Sequence, residues 1–246
     1  MHQVKNTESF SLKEGIMKAL VVCSGGLDSV TLAYKVANEG VLASLLSFNY
    51  GQRHLKELDF ARLCADQLGV KHTVIDLSQV GQHLNSALTP RSQHNATIPD
   101  GHYAEASMEA TVVPNRNAIM MTIAYGLAVS QQADTVAMAV HGGDHFIYAD
   151  CRPDFIHTFA AMQTLALDGI ADISLYTPFL ERDKKAIVQE GIKYAVPFAQ
   201  TWSCYKGLKQ HCGRCGTCVE RREAFHLANV EDPTLYADAK FWQSVT

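Results

Sequence analysis

The chain of 246 residues has no apolar run long enough to span a bilayer. Its longest apolar stretch, residues 118–129, is interrupted by Thr122 and Gly126 and reads as a buried helix. The first sixteen residues lack the basic start and apolar middle of a secretory leader. They are expected to form a disordered extension, and the expected location is the cytoplasm. A basic surplus is missing too: 21 lysines and arginines stand against 25 aspartates and glutamates, for a net charge of −4. A general nucleic-acid binder carries the opposite balance. Neither nucleic acid nor membrane is therefore expected as a partner. No repeat, low-complexity tract or long charge run divides the chain, and its 47% hydrophobic content suffices for one sizeable core.

Cysteine is present, but not in a disulfide pattern. The count is seven, and four of them cluster as Cys204-x7-Cys212-x2-Cys215-x2-Cys218. An odd number with a tight cluster points to metal in a reducing compartment. Four thiolates fill the tetrahedral shell of a structural zinc ion and leave no open position for chemistry. Gly213 and Gly216 are expected to permit the turns around the ion, and His211 to be an exposed loop residue outside the shell. An iron–sulfur cluster and a set of unmetallated thiols remain as rivals. Cys23 reads as core packing, and Cys151 is left unassigned.

The richest segment is Ser24-Gly25-Gly26-Leu27-Asp28-Ser29. It follows a buried strand at 18–23 and feeds a helix at 29–38. Such a junction aims unpaired backbone N–H groups and a helix dipole at one point, which favours a phosphate. No Gly-Lys-Ser/Thr follows, so this is not a Walker-type loop. Further strands are expected at 41–48, 71–76, 135–140 and 173–177. Helices are expected at 54–68, 117–131, 154–167, 184–194 and 218–228. The alternation predicts an α/β fold, a doubly wound parallel sheet with ligands at the carboxyl ends of its strands. Residues 77–113 break the rhythm and read as a lid or binding element.

The glycine loop resembles the SGGxDS loop of PP-loop enzymes that split ATP into AMP and pyrophosphate. With the cysteine cluster the resemblance narrows. From about residue 17 to 229 the chain resembles the QueC family of 7-cyano-7-deazaguanine synthases. The resemblance rests on the glycine loop, Tyr50-Gly51-Gln52-Arg53-His54 and Val113-Pro114-Asn115-Arg116-Asn117. It continues through Asp150-Cys151-Arg152-Pro153, Thr201-Trp202-Ser203-Cys204-Tyr205 and the remaining cysteines. Two places depart from it. Residues 141–148 lack the glutamate-aspartate and glycine-tyrosine-proline wording of common members, and Asn115 stands where glycine is usual.

The resemblance implies an adenine nucleotide alpha hydrolase-like (HUP-type) sheet over residues 17–200 and a small zinc module over 201–246. It implies a ligase that turns 7-carboxy-7-deazaguanine and ammonia into the nitrile. ATP would adenylate the carboxylate, ammonia would give the amide, and a second adenylation would allow elimination. ATP is expected along Cys23, Ser24, Gly25, Gly26, Leu27, Asp28, Ser29, Val30, Thr31, Leu32 and Ala33. Asp28, Ser29 and Arg116 are expected to be catalytic, and Tyr50, Arg53, Asp144 and Arg152 to hold substrate. Mg²⁺ is expected with ATP, at Asp28 or with Asp144 or Asp150. A homodimer is implied. No glutaminase motif is visible, so free ammonia is the expected nitrogen donor. Two alternatives stay open: another PP-loop ATP pyrophosphatase that modifies tRNA, and a zinc-knuckle RNA-binding module.

Overall fold

The structure, a computed structural model, describes residues 18–90 and 97–246. The expectation for residues 1–16 lies outside them. Strand β1 (Ala19–Val22) leads to helix α1 (Leu27–Asn38), β2 (Leu42–Asn49), α2 (Glu57–Leu68) and β3 (Lys71–Asp76). After a single helical turn, α3 (Ser78–Gly81), come α4 (Arg116–Gln131), β4 (Thr135–Ala137) and α5 (Pro153–Ala166). Strand β5 (Ser174–Tyr176), α6 (Lys184–Lys193) and α7 (Gly216–Leu227) complete the series. No helix among the described residues is long and apolar enough to cross a membrane.

All strand pairs are parallel, in the order β3-β2-β1-β4-β5. The central strand shows why both faces must be covered. Its side chains alternate sides, and every one is buried. Ala19 and Val21 join a layer with Leu32 and Val36 of α1, Ala61 of α2, Ile187 of α6 and Phe225 of α7. Leu20 and Val22 join the opposite layer, with Met121 and Tyr125 of α4 and Ile156 and Phe159 of α5. The doubly wound sheet expected from the alternation is therefore present. Its winding reverses between β1 and β4, and ligands of such sheets gather at that switch point.

Some boundaries differ from the sequence reading. β4 keeps only Thr135–Ala137 of the six residues expected, although the Met138 amide still donates to the Tyr176 carbonyl at 3.0 Å. Beyond it the chain leaves the sheet to carry residues 138–148 across the strand ends. α7 starts at Gly216, two residues before Cys218, so Cys215 is its N-cap.

The described residues between 77 and 113 break the strand–helix rhythm as expected. The Ala87 amide donates to the Ala110 carbonyl at 2.8 Å, and a 3₁₀ helix spans Ala106–Thr111. Leu88, Ile98 and Val113 pack with Trp202 and the four clustered cysteines in a third apolar layer. Behind it, the guanidinium of Arg221 is fully buried. It pairs with Asp232 at 3.2 Å and donates to the Thr201 hydroxyl at 2.6 Å and the Phe198 carbonyl at 2.9 Å.

Candidate active site

One cleft opens at the switch point, and the loop after β1 forms its floor. Cys23, Ser24, Gly26, Leu27, Asp28 and Ser29 line it. Val30, Thr31, Leu32 and Ala33 turn into the core beneath. Ser29 closes the loop on itself. Its hydroxyl accepts from the Ser24 amide at 3.1 Å, donates to the Gly26 carbonyl at 3.3 Å and lies 3.2 Å from the Ser24 hydroxyl. The N-cap of α1 is Gly26, which brings no side chain to its first-turn amides. The two glycines serve different ends. Gly25 has φ +87°, and a Cβ there would stand 2.2 Å from the Glu57 carbonyl of α2. It is required for packing against α2, whereas Gly26 keeps the helix entrance open.

Beside the loop lies a charge network. Lys184 Nζ sits 3.2 Å from Asp28 Oδ2 and 2.6 Å from Glu220 Oε2. Burial works against the ammonium charge, but Asp28 and Glu220 outweigh it and raise the lysine above its ordinary range. The Nε2 atom of buried His141 lies 3.4 Å from Asp144 Oδ2 and 3.7 Å from Asp28 Oδ2. Its Nδ1 accepts from the Gly143 amide at 3.1 Å, which leaves Nε2 to carry the proton. Ligand atoms of His141, Asp144 and Glu220 lie within 4.8 Å of one another. That tautomer and the lysine between the carboxylates make this a charge network rather than a preformed metal cage. Asp28 Oδ1 is buried with no hydrogen-bond partner.

The other end of the cleft is aromatic. Half-buried Arg116 opens α4 and is walled by Tyr50, Tyr148 and Tyr205, with a hydrogen bond to Tyr50. Burial pushes the Tyr50 phenol up to about 12, against the pull of Arg116. Tyr148 and Tyr205 are raised by burial as well. All three therefore keep their protons at neutral pH. The Tyr148 hydroxyl lies 2.8 Å from that of Thr111 and 3.5 Å from that of Tyr205. Burial opposes the Arg116 charge, but nearby Asp150 favours it, and the guanidinium stays protonated. Among the described residues no carboxylate comes within ion-pair distance of it. Asp150 instead accepts from the Asn117 amide at 2.9 Å and caps α4. Asn115 has φ +60°, a left-handed conformation that glycine and asparagine both tolerate, which accounts for their exchange at this position.

Tyr50, Arg116 and Asp144 thus share the cleft with the glycine loop. Arg53 and Arg152 are not among its lining residues. Arg152 is exposed, and its Nε donates to the His145 carbonyl at 2.9 Å. Sequence reasoning passed over Lys184 and Glu220. His141 had one usable signal, its place just past β4, where ligands of such sheets collect. Cys151 resolves as a buried thiol that accepts from Asn117 Nδ2 at 3.1 Å, with burial and two carboxylates pushing its pKa up.

The four clustered cysteines are buried, with sulfurs within 4.8 Å of one another, close enough to share one ion. The amides of Arg214 and Cys215 each donate to Cys212 Sγ at 3.3 Å. Gly213 has φ +78° and makes the turn possible, as expected. Gly216 has no such φ; a side chain there would instead crowd Met108 and Tyr103. His211 is not the exposed loop residue the sequence suggested. It is 5% exposed, accepts from the Ser203 amide at 3.0 Å and packs 4.1 Å from the Trp202 ring. The expectation failed because neighbouring polar residues masked its packing against Trp202. The Trp202 amide donates to the Gly25 carbonyl at 2.9 Å, which ties this module to the glycine loop.

Comparison with known proteins gives a consistent picture. Residues 18–229 match the family described as queuosine biosynthesis protein QueC. The chain is 64% identical to the 7-cyano-7-deazaguanine synthase of Rhizobium rhizogenes over 231 residues, 94% of this chain and 96% of that protein. With the enzyme of the same name from Ruegeria pomeroyi the identity is 64% over 229 residues, 93% of this chain and 98% of that protein. Among solved structures, NMN synthetase from Francisella tularensis superposes with a TM-score of 0.48 at 15% identity, covering 93% and 84% of the two chains.

Proposed function

Since the chain belongs to the QueC family, we propose that it makes 7-cyano-7-deazaguanine from 7-carboxy-7-deazaguanine, ammonia and ATP. The observation that carries this reading is the cleft's division of labour. A glycine loop suited to a polyphosphate faces an arginine with no carboxylate partner, set among protonated phenols. A flat acid can lie on the tyrosines with its carboxylate on the Arg116 fork. Phenols both donate and accept, so the same pocket serves the carboxylate and then the neutral amide. ATP would place its phosphates on the first-turn amides of α1, with its α-phosphorus toward the acid. Walls from Tyr103, Met108 and Thr111 exclude water, which would hydrolyse an adenylate.

A magnesium ion fits the orphaned Asp28 Oδ1 together with Asp144, since Mg²⁺ takes oxygen ligands. When bound it would neutralise the triphosphate and favour departure of pyrophosphate. At the cysteines the ion is zinc. Four sulfurs on one zinc at about 2.3 Å lie about 3.8 Å apart, and Cys212 and Cys218 Sγ are 3.9 Å apart. A four-iron cluster would put each sulfur on a different iron and spread them further. The zinc is structural, its shell closed. The enzyme acts in the cytoplasm as a homodimer.

The tRNA-modifying alternative gains no support from the thiols. Cys64 is buried away from the cleft, and Cys23 and Cys151, though they line it, are buried, Cys151 with its thiol pushed up by burial and two carboxylates and so kept protonated. The test is mass spectrometry of products from the purified chain given 7-carboxy-7-deazaguanine, ATP and ammonium. The nitrile with release of pyrophosphate is expected. Pyrophosphate release that requires RNA rather than the acid would overturn the reading.

A further inference from the structure

Lys184 and Glu220 touch the cleft without having been assigned a task. Lys184 is the first residue of α6, whose N-cap Asp183 fixes the helix start by accepting from the Ala186 amide at 2.8 Å. The lysine stem is flexible, so the position of its ammonium depends on what grips it. Two carboxylates do: Asp28 from the loop and Glu220 from α7, the latter at the shorter distance. Once Asp28 turns to a metal ion or to ATP, Glu220 is the remaining carboxylate in ion-pair contact with the lysine among the described residues.

Glu220 reaches that point across the bare backbone of Gly143. The glutamate is 5% exposed, and a Cβ on Gly143 would lie 2.6 Å from Glu220 Oε1 and 3.0 Å from the His141 ring. The backbone of Gly143 does not itself demand glycine, since its φ is outside the left-handed region. The glycine there is a matter of space. The geometry also makes the carboxylate transferable. A side-chain carboxylate oxygen of aspartate lies about 2.4 Å from its own Cβ, so Asp at 143 would bring a carboxylate to the place of Glu220 Oε1, beside the Oε2 that now grips Lys184.

We propose that Glu220 is a positioning residue that holds Lys184 over the glycine loop to receive the phosphates of ATP, and that Gly143 is the space this requires. The inference rests on the ATP reading above. Through it, the helix that opens at the cysteine cluster supplies a fixed point of the phosphate site.

The test is steady-state kinetics of the full chain with ATP and 7-carboxy-7-deazaguanine varied separately. Glu220→Ala should raise KM for ATP at least fivefold, leave KM for the acid within twofold and keep its bound metal. Lys184→Ala should show the same split, more strongly. Gly143→Asp alone should lower kcat/KM for ATP by crowding two carboxylates together. The pair Gly143→Asp with Glu220→Ala should recover most of what Glu220→Ala loses, which a merely structural glutamate would not allow. No recovery in the pair, an equal rise in both KM values, or loss of metal from Glu220→Ala would each overturn the proposal. A wild-type chain that releases no pyrophosphate with the acid would overturn the functional reading instead. An active wild type with an unchanged Glu220→Ala would overturn this inference alone.

Discussion

Arg116 and Glu57 show how burial sets the chemistry of single residues in this cleft. Arg116 keeps its charge among phenols that stay protonated, so an incoming carboxylate meets no carboxylate in ion-pair contact with it among the described residues. Arg116→Met should therefore raise KM for the acid about tenfold or more, because a charge-assisted fork is worth about 1.5–3 kcal/mol. KM for ATP should stay within about twofold, and Arg116→Lys should recover only part of the loss. Equal effects on both substrates would place Arg116 elsewhere in the reaction. Glu57 lies at the start of α2, where burial pushes its carboxyl from an ordinary 4.5 to about 8, against Gln52 and Arg116. The folded state then binds more protons than the unfolded state between those values. Stability is accordingly expected to fall as pH rises through that window. Glu57→Gln should flatten the slope, as read from melting temperatures at a series of pH values. Its neighbour His54, 3.5 Å away, stays neutral, since burial lowers it to about 3.

At the scale of elements, α7 joins the cysteine module to the core. Its N-cap is Cys215, and Cys218 lies in its first turn, where the positive end of the helix dipole favours thiolates. Cys215→Ser should release the metal and lower the melting temperature. Structural zinc can contribute on the order of 10 kcal/mol in zinc-finger peptides. Metal analysis with a melting curve checks this, and a brown, iron-bearing chain would favour the cluster reading. Helices of this kind were largely legible in the sequence. The apolar run ahead of the glycine loop gave β1 and α1, and Gly69, the left-handed C-cap of α2, marked that helix's end. β4 was read too long because Met138 and Val140 are as apolar as strand residues, yet they face the cleft and the core beside it. Lys184 and Glu220 were invisible for a different reason. They lie 36 residues apart, and each looks like the polar face of an ordinary helix. Only tertiary packing brings them to one point.

For the whole molecule, the reversal of winding between β1 and β4 places loop, charge network and tyrosines in one cleft. None of the seven cysteines stands in a glutaminase motif. Product formation should accordingly follow free ammonia and rise with pH as ammonium gives up its proton. Isotopic nitrogen supplied in ammonium chloride or in glutamine checks this, and efficient transfer from glutamine by the purified chain alone would refute it. The hydrogen bond from Trp202 to Gly25 has a further use. The chain has two tryptophans, and the indole of this one is packed beside Lys56, Phe60 and His211. Burial lowers His211 to about 3, so the imidazole stays uncharged near neutrality and does not act as a pH-dependent quencher. Replacing Trp242 with phenylalanine would leave a single tryptophan, selectively excited at the red edge of the absorption band and bonded through its own amide to the glycine loop. Its emission should shift on addition of nucleotide and stay constant between about pH 6 and 8, giving a label-free optical titration of the phosphate site.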